Sequence, residues 1–253
     1  MKKTYYADFN FKGDFEIIFN GLSLKRNKSM GVSNGLEYLN PFIEKSGKQS
    51  ISLILKSLSG KISPDEVKNY YIDIVYTDNG EPAPVHKVMR CSFPAINRPT
   101  DSLVYTWTFE ADVPYSINGF ENSKDLTKED QKILLRDVID FYKKVSTIIN
   151  DGDSKEYLNI YQESREREMI SMYYHEEKQK EYLSSIADRV QSSKGFIQPL
   201  ENYRMFIHPN KKLVELIIND EDSALFSKGN KGKKKFYGLQ LHRSLKTGKL
   251  EVY

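Results

Sequence analysis

A run of helical sequence from Thr127 to about Ser192 lies between two stretches of strand-like sequence, and it sets the order of elements in any fold. In its first half, apolar residues recur every three or four positions from Ile133 to Ile149. That spacing places an apolar stripe along one face of an amphipathic helix. Asn150 to Gly152 then supply residues that tolerate the left-handed conformation in which helices end. We therefore expect two helices that fold back as a hairpin, with Thr127 and Ser154 as their N-caps.

The second half of the run is interrupted by charged residues. Two charged segments, 162–168 and 175–181, separate the apolar positions. This pattern predicts a helix, a bend or break near Lys178, and then a shorter helix. Charge runs of this kind are typical of solvated helix faces that carry pairs such as Glu163 and Arg167.

Before the helices, residues 4–120 alternate apolar and polar side chains at the period of a β-strand. The clearest strand runs from Leu103 to Val113, and Gly13-Asp14 is predicted to be a turn between two earlier strands. Six or more such strands with almost no helical pattern predict an antiparallel, jelly-roll-like β-sandwich. We assign this sandwich to a first domain, residues 1–122.

Strand-like sequence resumes after the helices, with Pro209-Asn210 as a predicted hairpin turn. A lysine-rich segment, Lys228 to Lys235, is predicted to be a second hairpin loop. Such a loop is either a mobile solubilising tip or a site for phosphate or an acidic surface. The sequence thus predicts a second domain, residues 123–253, in which a helical hairpin packs on an antiparallel sheet. The predicted fold class is α+β with two domains.

Charge and cysteine content limit the classes of function. The chain has 38 basic and 35 acidic residues, so its net charge of +3 gives no support for nucleic-acid binding. The single cysteine, Cys91, excludes an intramolecular disulfide. No segment contains the ~20 apolar residues that cross a bilayer, and no apolar core of a signal peptide follows Met1. These features predict a cytoplasmic protein without a membrane segment, although a chain from which a leader had been removed would look the same.

The sequence contains no recognisable catalytic or metal-binding motif. The four histidines are scattered and lack metal-ligand spacing: His86, His175, His208 and His242. There is no nucleophile elbow, and no paired carboxylates occur in an apolar setting that would tune their pKa values for acid–base chemistry. We therefore expect neither enzymatic activity nor a metal or other cofactor.

Two segments resemble known folds. The residues Phe19-Asn20-Gly21 and Leu39 to Leu53 resemble a strand–turn–strand step of the galactose-binding-like jelly rolls, although Gln49 stands where that pattern has Asn. The resemblance implies a turn from Asn40 to Ile43, a positive φ at Gly47, and core positions for Ile51, Leu53 and Leu55. The order of helices and then strands in the second half resembles NTF2-like or cystatin-like domains. Fold resemblance does not by itself define function.

Taken whole, the chain resembles immunity proteins that protect bacteria against polymorphic or type VI secretion toxins. The resemblance rests on the sandwich segments, the charged helix from Glu163 to Glu168, and the C-terminal stretch from Leu200 to Tyr253. It implies a non-catalytic protein that binds and neutralises a cognate toxin. The alternative is a small-molecule or glycan binder, or an NTF2-like enzyme with a pocket in the C-terminal sheet lined by Tyr157, Tyr161, Tyr203 and Arg204. The sequence leaves the oligomeric state open.

The predicted partner-binding face combines charge with tyrosine on the interrupted helix. It consists of Glu163, Arg165 and Arg167, with Tyr173 or Tyr174 beside them. Arginine and tyrosine are the residue types enriched at binding hot spots, whereas a buried helix would carry less charge than this one. The sequence therefore predicts that the toxin docks on this face.

Overall fold

The computed structural model describes residues 2–78, 84–219, 221–229 and 232–253. The fold is α+β: an N-terminal antiparallel sheet curled into a half-barrel, central helices, and a C-terminal antiparallel sheet. Two compact units divide the chain. The N-terminal unit comprises Met1–Ile117 with Ile170–Tyr173, and the C-terminal unit comprises Asn118–Met169 with Tyr174–Tyr253. The domain boundary expected near residue 122 stays a prediction that limited proteolysis will test.

The N-terminal unit is built from six strands, a one-turn α-helix and a 3₁₀ turn at Asn40–Phe42. In chain order these elements are β1 (Lys3–Phe19), β2 (Leu22–Tyr38), β3 (Lys45–Lys56), α1 (Pro64–Val67), β4 (Tyr71–Asp78), β5 (Val85–Cys91) and β6 (Ser102–Ser116). All six strands belong to one antiparallel sheet. The predicted β-sandwich is therefore wrong in one respect, because the strands form a single curled sheet and not two packed sheets.

The curl of the sheet comes from β1, which pairs with three other strands. Residues 3–10 of β1 pair with β4, residues 14–19 pair with β3, and β2 follows β1 along nearly its whole length. Gly13 lies at a bulge between the two halves, with φ +115°. The predicted turn at Gly13-Asp14 is wrong: glycine bends the strand here without ending it. Since β1 joins both groups of strands, they stay in one sheet.

The concave side of this sheet holds the core of the N-terminal unit. Aromatic side chains from β1 dominate it, with Phe11 and Phe15 in contact at a ring-centroid distance of 5.2 Å. Ile51, Leu53 and Leu55 are fully buried, and Gly47 has φ +123°, as the jelly-roll resemblance implied for these positions. The free thiol of Cys91 is also buried, and burial raises its pKa to about 12.

Four helices follow, where the sequence predicted a hairpin with one later break. They are α2 (Gln131–Asp151), α3 (Ser154–Ile160), α4 (Gln162–Ser171) and α5 (Glu176–Gln191). The end of α2 at the left-handed Gly152 is confirmed. The N-caps are Asp130 and Asp153, not Thr127 and Ser154, because the aspartate carboxylates accept the free backbone N–H groups. The later break precedes α5 and falls before Lys178, because His175 caps the first turn of α5.

In its described residues the C-terminal unit also contains seven short strands in two antiparallel sheets. They are β7 (Arg204–Ile207), β8 (Val214–Ile218), β9 (Asp222–Ser223), β10 (Phe226–Lys228), β11 (Lys234–Phe236), β12 (Leu241–Arg243) and β13 (Leu250–Val252). One sheet has the order β13-β12-β8-β7 with β9 beside β8, and β10 and β11 form the other. The turn after β7 and the lysine-rich hairpin are confirmed, although Asn230 and Lys231 lie outside the described residues.

The long helix α2 is joined to the larger C-terminal sheet by its fully buried Tyr142. The Tyr142 hydroxyl donates to the carbonyl of Leu239 at 2.6 Å and accepts from the backbone N–H of Leu216 at 2.8 Å. The buried side of α2 packs in the same apolar core as residues of β8, β12 and β13. The helices therefore cover this sheet, as the sequence predicted for the second domain.

A cationic groove in the C-terminal unit

An open groove of about 940 Å³ lies between helices α3, α4 and α5 on one side and β11 on the other. We call it the cationic groove, because its lining contains five basic side chains and two carboxylates. The basic residues are Arg165, Arg189, Lys233, Lys234 and Lys235, and the acidic ones are Glu168 and Asp188. The rings of Tyr157, Tyr182 and Tyr237 also line it. A formal excess of three positive charges in a concave surface attracts anionic groups.

Arg165 is held in one wall of the groove by a network that links α4 to α5. Its Nη1 donates to Glu168 Oε2 and to the Tyr182 hydroxyl, both at 3.0 Å. The Tyr182 hydroxyl also donates to the same Glu168 carboxylate. The guanidinium lies 5.2 Å from the centroid of the Tyr161 ring, which supports it from below. These contacts fix the Arg165 side chain, which would otherwise sample many rotamers.

The electrostatics keep Arg165 charged and Tyr182 neutral. Burial disfavours the guanidinium cation, but nearby Tyr157, Tyr182 and Glu168 outweigh that cost, so the pKa of Arg165 is raised. Burial also raises the pKa of Tyr182, and the cation of Arg165 opposes this shift only in part. This wall therefore holds the ion pair of Arg165 and Glu168 beside a neutral phenol at physiological pH.

Another part of the groove lining is formed where α5 meets β11. Arg189 Nη2 donates to the carbonyl of Phe236 at 2.6 Å, and its guanidinium lies 5.2 Å from the Tyr237 ring centroid. Lys235 Nζ donates to Ser192 Oγ at 2.6 Å. The Tyr237 hydroxyl donates to Ser193 Oγ at 2.6 Å, which ties the strand to the end of the helix. Both parts of the lining are therefore supported by hydrogen bonds.

The five residues predicted to bind a partner do not lie together in one place. Arg165 lines the cationic groove, whereas Glu163 is exposed and lines a separate hollow of about 240 Å³ beside Phe141 and Leu250. The Arg167 guanidinium lies 4.1 Å from the centroid of the Tyr253 ring. Tyr174 packs edge-on against Tyr182, with ring centroids 5.4 Å apart. Each of these four residues belongs to the C-terminal unit.

Tyr173, the fifth predicted residue, belongs to the N-terminal unit. Its φ of +58° places it in the left-handed region, which is uncommon for a residue other than glycine. The hydroxyl donates to the carbonyl of Lys3 at 2.9 Å, and the ring packs on Tyr115 at 5.7 Å. These contacts give Tyr173 a structural role in that unit.

The residues predicted to line a pocket in the C-terminal sheet are also separated. Tyr157 lines the cationic groove, whereas Tyr161 is buried beneath it and donates to the carbonyl of Gly238 at 3.0 Å. Tyr203 and Arg204 belong to the β7 region and are absent from the described groove lining.

The histidines make local contacts in four different places. His175 caps α5, His86 stacks on Tyr76, and buried His208 and His242 lie near Glu215 and Ser123 respectively. In the described part of the chain, no three His, Cys, Asp or Glu side chains are grouped as a metal site would require. No helix within the described ranges is long and apolar enough to span a membrane.

Sequence reasoning missed Tyr182, Arg189 and the role of the lysines in the groove. One signal was available, since Tyr182 and Arg189 are seven residues apart and therefore share a face of α5. Nothing in the sequence indicated that β11 packs opposite this face, because that contact is made by residues more than forty positions later.

Comparisons of the chain with protein-family models, with curated proteins and with solved structures find no match in any of the three. The resemblances to jelly-roll, NTF2-like and immunity proteins therefore stay predictions.

Proposed function

We propose that the protein is a non-catalytic binding protein, and specifically an immunity protein that neutralises a cognate secreted toxin. The observation that carries this proposal is the cationic groove, in which Arg165 and Arg189 are both held in place by hydrogen bonds. The toxin would present an acidic surface to the groove. Binding at the groove would then block the toxin's active site or the path of its substrate.

The chemistry of the lining favours a macromolecular partner over a small ligand. Pockets for small molecules are lined mostly by apolar side chains with a few polar groups among them. Seven charged side chains line this groove, and its volume of about 940 Å³ is at the upper end for a small-molecule site. Fixed arginines next to tyrosine rings are the composition that dominates binding energy at protein interfaces.

The product of the neighbouring gene is the partner to test, by pull-down and calorimetry. Arg165→Ala is expected to cost about 2 kcal/mol or more in binding free energy, which is a loss of about 30-fold in affinity. Lys233→Glu tests the charge of the groove at an exposed position, and we expect it to lower the association rate. Lys155→Glu makes the same charge change at an exposed position outside the groove lining, so it is the matched control.

Arg167→Ala and Tyr174→Ala test the remainder of the predicted face in the same experiment. Loss of binding in these two variants but not in Arg165→Ala would move the site from the groove to the surface around Arg167 and Tyr174. Equal binding by the parent and by every groove variant would disprove the groove as the partner site.

A second candidate function uses the same groove. Three tyrosine rings at its lining favour a small acidic or glycan ligand as the alternative occupant. If the neighbouring product does not bind at all, calorimetry with acidic sugars and dicarboxylates, again comparing Arg165→Ala with Lys155→Glu, tests this alternative.

A further inference from the structure

An apolar stripe lies along β2, at an edge of the N-terminal sheet. It consists of Met30, Val32, Leu36 and Tyr38, whose exposed fractions are 57%, 66%, 54% and 49%. Val32, Leu36 and Tyr38 are spaced by even numbers, so their side chains lie on one face of the strand together with that of Asn34, whereas Met30 lies in a bulge between Ser29 and Val32. Several large apolar side chains exposed along one strand mark an interaction surface more strongly than single exposed residues do.

The stretch of β2 from Ser29 to Tyr38 also lies at an open edge of the sheet. Within the described residues, β2 pairs only with β1, which leaves the N–H and C=O groups along its other edge without a neighbouring strand. Edge strands are usually protected by charged side chains or proline. Residues 29–36 of β2 contain neither, and they include Gly31 and Gly35. This stretch is therefore a template for another strand.

We propose that β2 pairs with β2 of a second copy of this chain, antiparallel and about a two-fold axis at Asn34. This register sets Val32 opposite Leu36 of the second copy and Asn34 opposite its own counterpart at the axis. The exposed side chains then pack in apolar pairs on one face, and the free backbone groups of both edges are satisfied. A two-fold axis one residue away, at Ser33, would instead set Val32 against the amide of Asn34.

The charges next to the stripe are compatible with the same axis. On β1, Lys12 is the neighbour of Val32, and Asp8 is the neighbour of Leu36. Across the two-fold axis, each row of side chains therefore runs from Lys12 and Val32 of one copy to Leu36 and Asp8 of the other. No like charges are brought face to face, so the surface is complementary to itself, as an isologous interface requires.

This inference rests on the N-terminal unit alone and is independent of the proposed function. It is tested on the full chain by sedimentation equilibrium. Val32→Lys and Leu36→Lys each place a charge in the apolar pairs, and we expect each to raise the dimer dissociation constant at least about tenfold. Val104→Lys is the matched control, since Val104 is 63% exposed on β6 of the same sheet. Circular dichroism and urea unfolding check that each variant is folded.

A cysteine at the axis tests the register directly. Directly opposed residues in an antiparallel pair have Cα atoms about 4.5–5.5 Å apart, which is within the range of a disulfide. Asn34→Cys should therefore form a disulfide between two copies on mild oxidation, whereas Asn97→Cys, at another exposed position, should not. The native Cys91 is buried and does not compete.

The dimer is disproved if the parent chain stays monomeric at all concentrations and Asn34→Cys cross-links no better than Asn97→Cys. It is equally disproved if the parent dimerises but neither lysine variant on β2 weakens the dimer more than Val104→Lys does. If the parent chain stays monomeric, the open edge of β2 remains available to a strand of another protein.

Discussion

The side-chain amide of Asn40 donates a hydrogen bond of 3.0 Å to the carbonyl of Ser171, a residue 131 positions later in the chain. Asn40 is fully buried, and the same amide nitrogen also donates to the carbonyl of Lys3 at 3.0 Å. Its Oδ1 accepts the backbone N–H of Tyr5 at 2.7 Å. One side chain therefore connects the start of β1 to the end of α4 within the N-terminal unit.

Replacing this amide should destabilise the N-terminal unit strongly. Asn40→Ala leaves the buried N–H of Tyr5 and two carbonyls without their partner, and each unsatisfied buried group costs about 1–3 kcal/mol. We expect a loss of at least about 3 kcal/mol in the free energy of unfolding, measured by urea denaturation. Asn97→Ala, at an exposed asparagine of the same unit, should change it by less than about 0.5 kcal/mol. Equal stability of the two variants would contradict this role of Asn40.

The hydroxyl of Tyr142 should have a similar role in the C-terminal unit. Tyr142→Phe keeps the ring but removes both the donor to Leu239 and the acceptor for Leu216. We expect the free energy of unfolding to fall by about 1–3 kcal/mol, because two buried backbone groups lose their partner. Tyr105→Phe, at a half-buried ring, is the control and should be nearly neutral. Identical urea midpoints for the two variants would refute the prediction.

Gly13 should not tolerate any side chain. A Cβ at this position would lie 2.8 Å from the carbonyl oxygen of Lys56, and the φ of +115° is itself unfavourable for other residues. We expect Gly13→Ala to lower the unfolding free energy by more than about 1 kcal/mol. Gly31→Ala is the comparison, since its Cβ meets nothing nearer than Ser29 Oγ at 3.5 Å. A Gly13→Ala protein as stable as the parent would mean that the bulge relaxes freely.

Acid should weaken the N-terminal unit through Asp73. Hydrogen bonds from Arg90 at 2.8 and 2.7 Å lower the pKa of this carboxyl below its usual 3.8, with a further contribution from Lys87. A pKa that is lower in the folded state means that the stabilisation is present above pH 3.8 and is lost as pH falls below it. Asp73→Asn should therefore reduce stability at neutral pH and flatten its dependence on pH in this acid range. Unfolding curves of both proteins between about pH 2 and 7 test this, and parallel pH profiles would exclude Asp73 as the cause.

The sequence predicted well those parts of the fold in which a local pattern corresponds to a single local structure. The stripe from Ile133 to Ile149 and the left-handed Gly152 define α2 and its end, because helix period and helix termination are local properties. Gly13 was misread because a glycine at positive φ occurs both in turns and in bulges. Only the pairing of β1 with two different neighbours separates these cases.

The candidate site was less accessible from sequence than the fold. Arg165, predicted as a partner-binding residue, does line the groove, and arginine on a charged helix is a general hot-spot signal. Its neighbours Tyr182 and Arg189 are on another helix, and the lysines of β11 are on a strand. Proximity of this kind depends on packing between elements, which residue spacing within one element does not encode.

The membership of Ile170–Tyr173 in the N-terminal unit has a consequence for synthesis of the chain. Domains usually fold as they leave the ribosome, with the N-terminal one first. Here the carbonyl that Asn40 needs and the hydroxyl that reaches Lys3 are translated only at residues 171 and 173. Until then, water must supply the hydrogen-bond partners of the Asn40 amide and the Lys3 carbonyl in the nascent half-barrel. Most of the N-terminal unit is therefore translated first, yet these hydrogen bonds form only after Ser171 and Tyr173 of the C-terminal part of α4 and its following turn have been made.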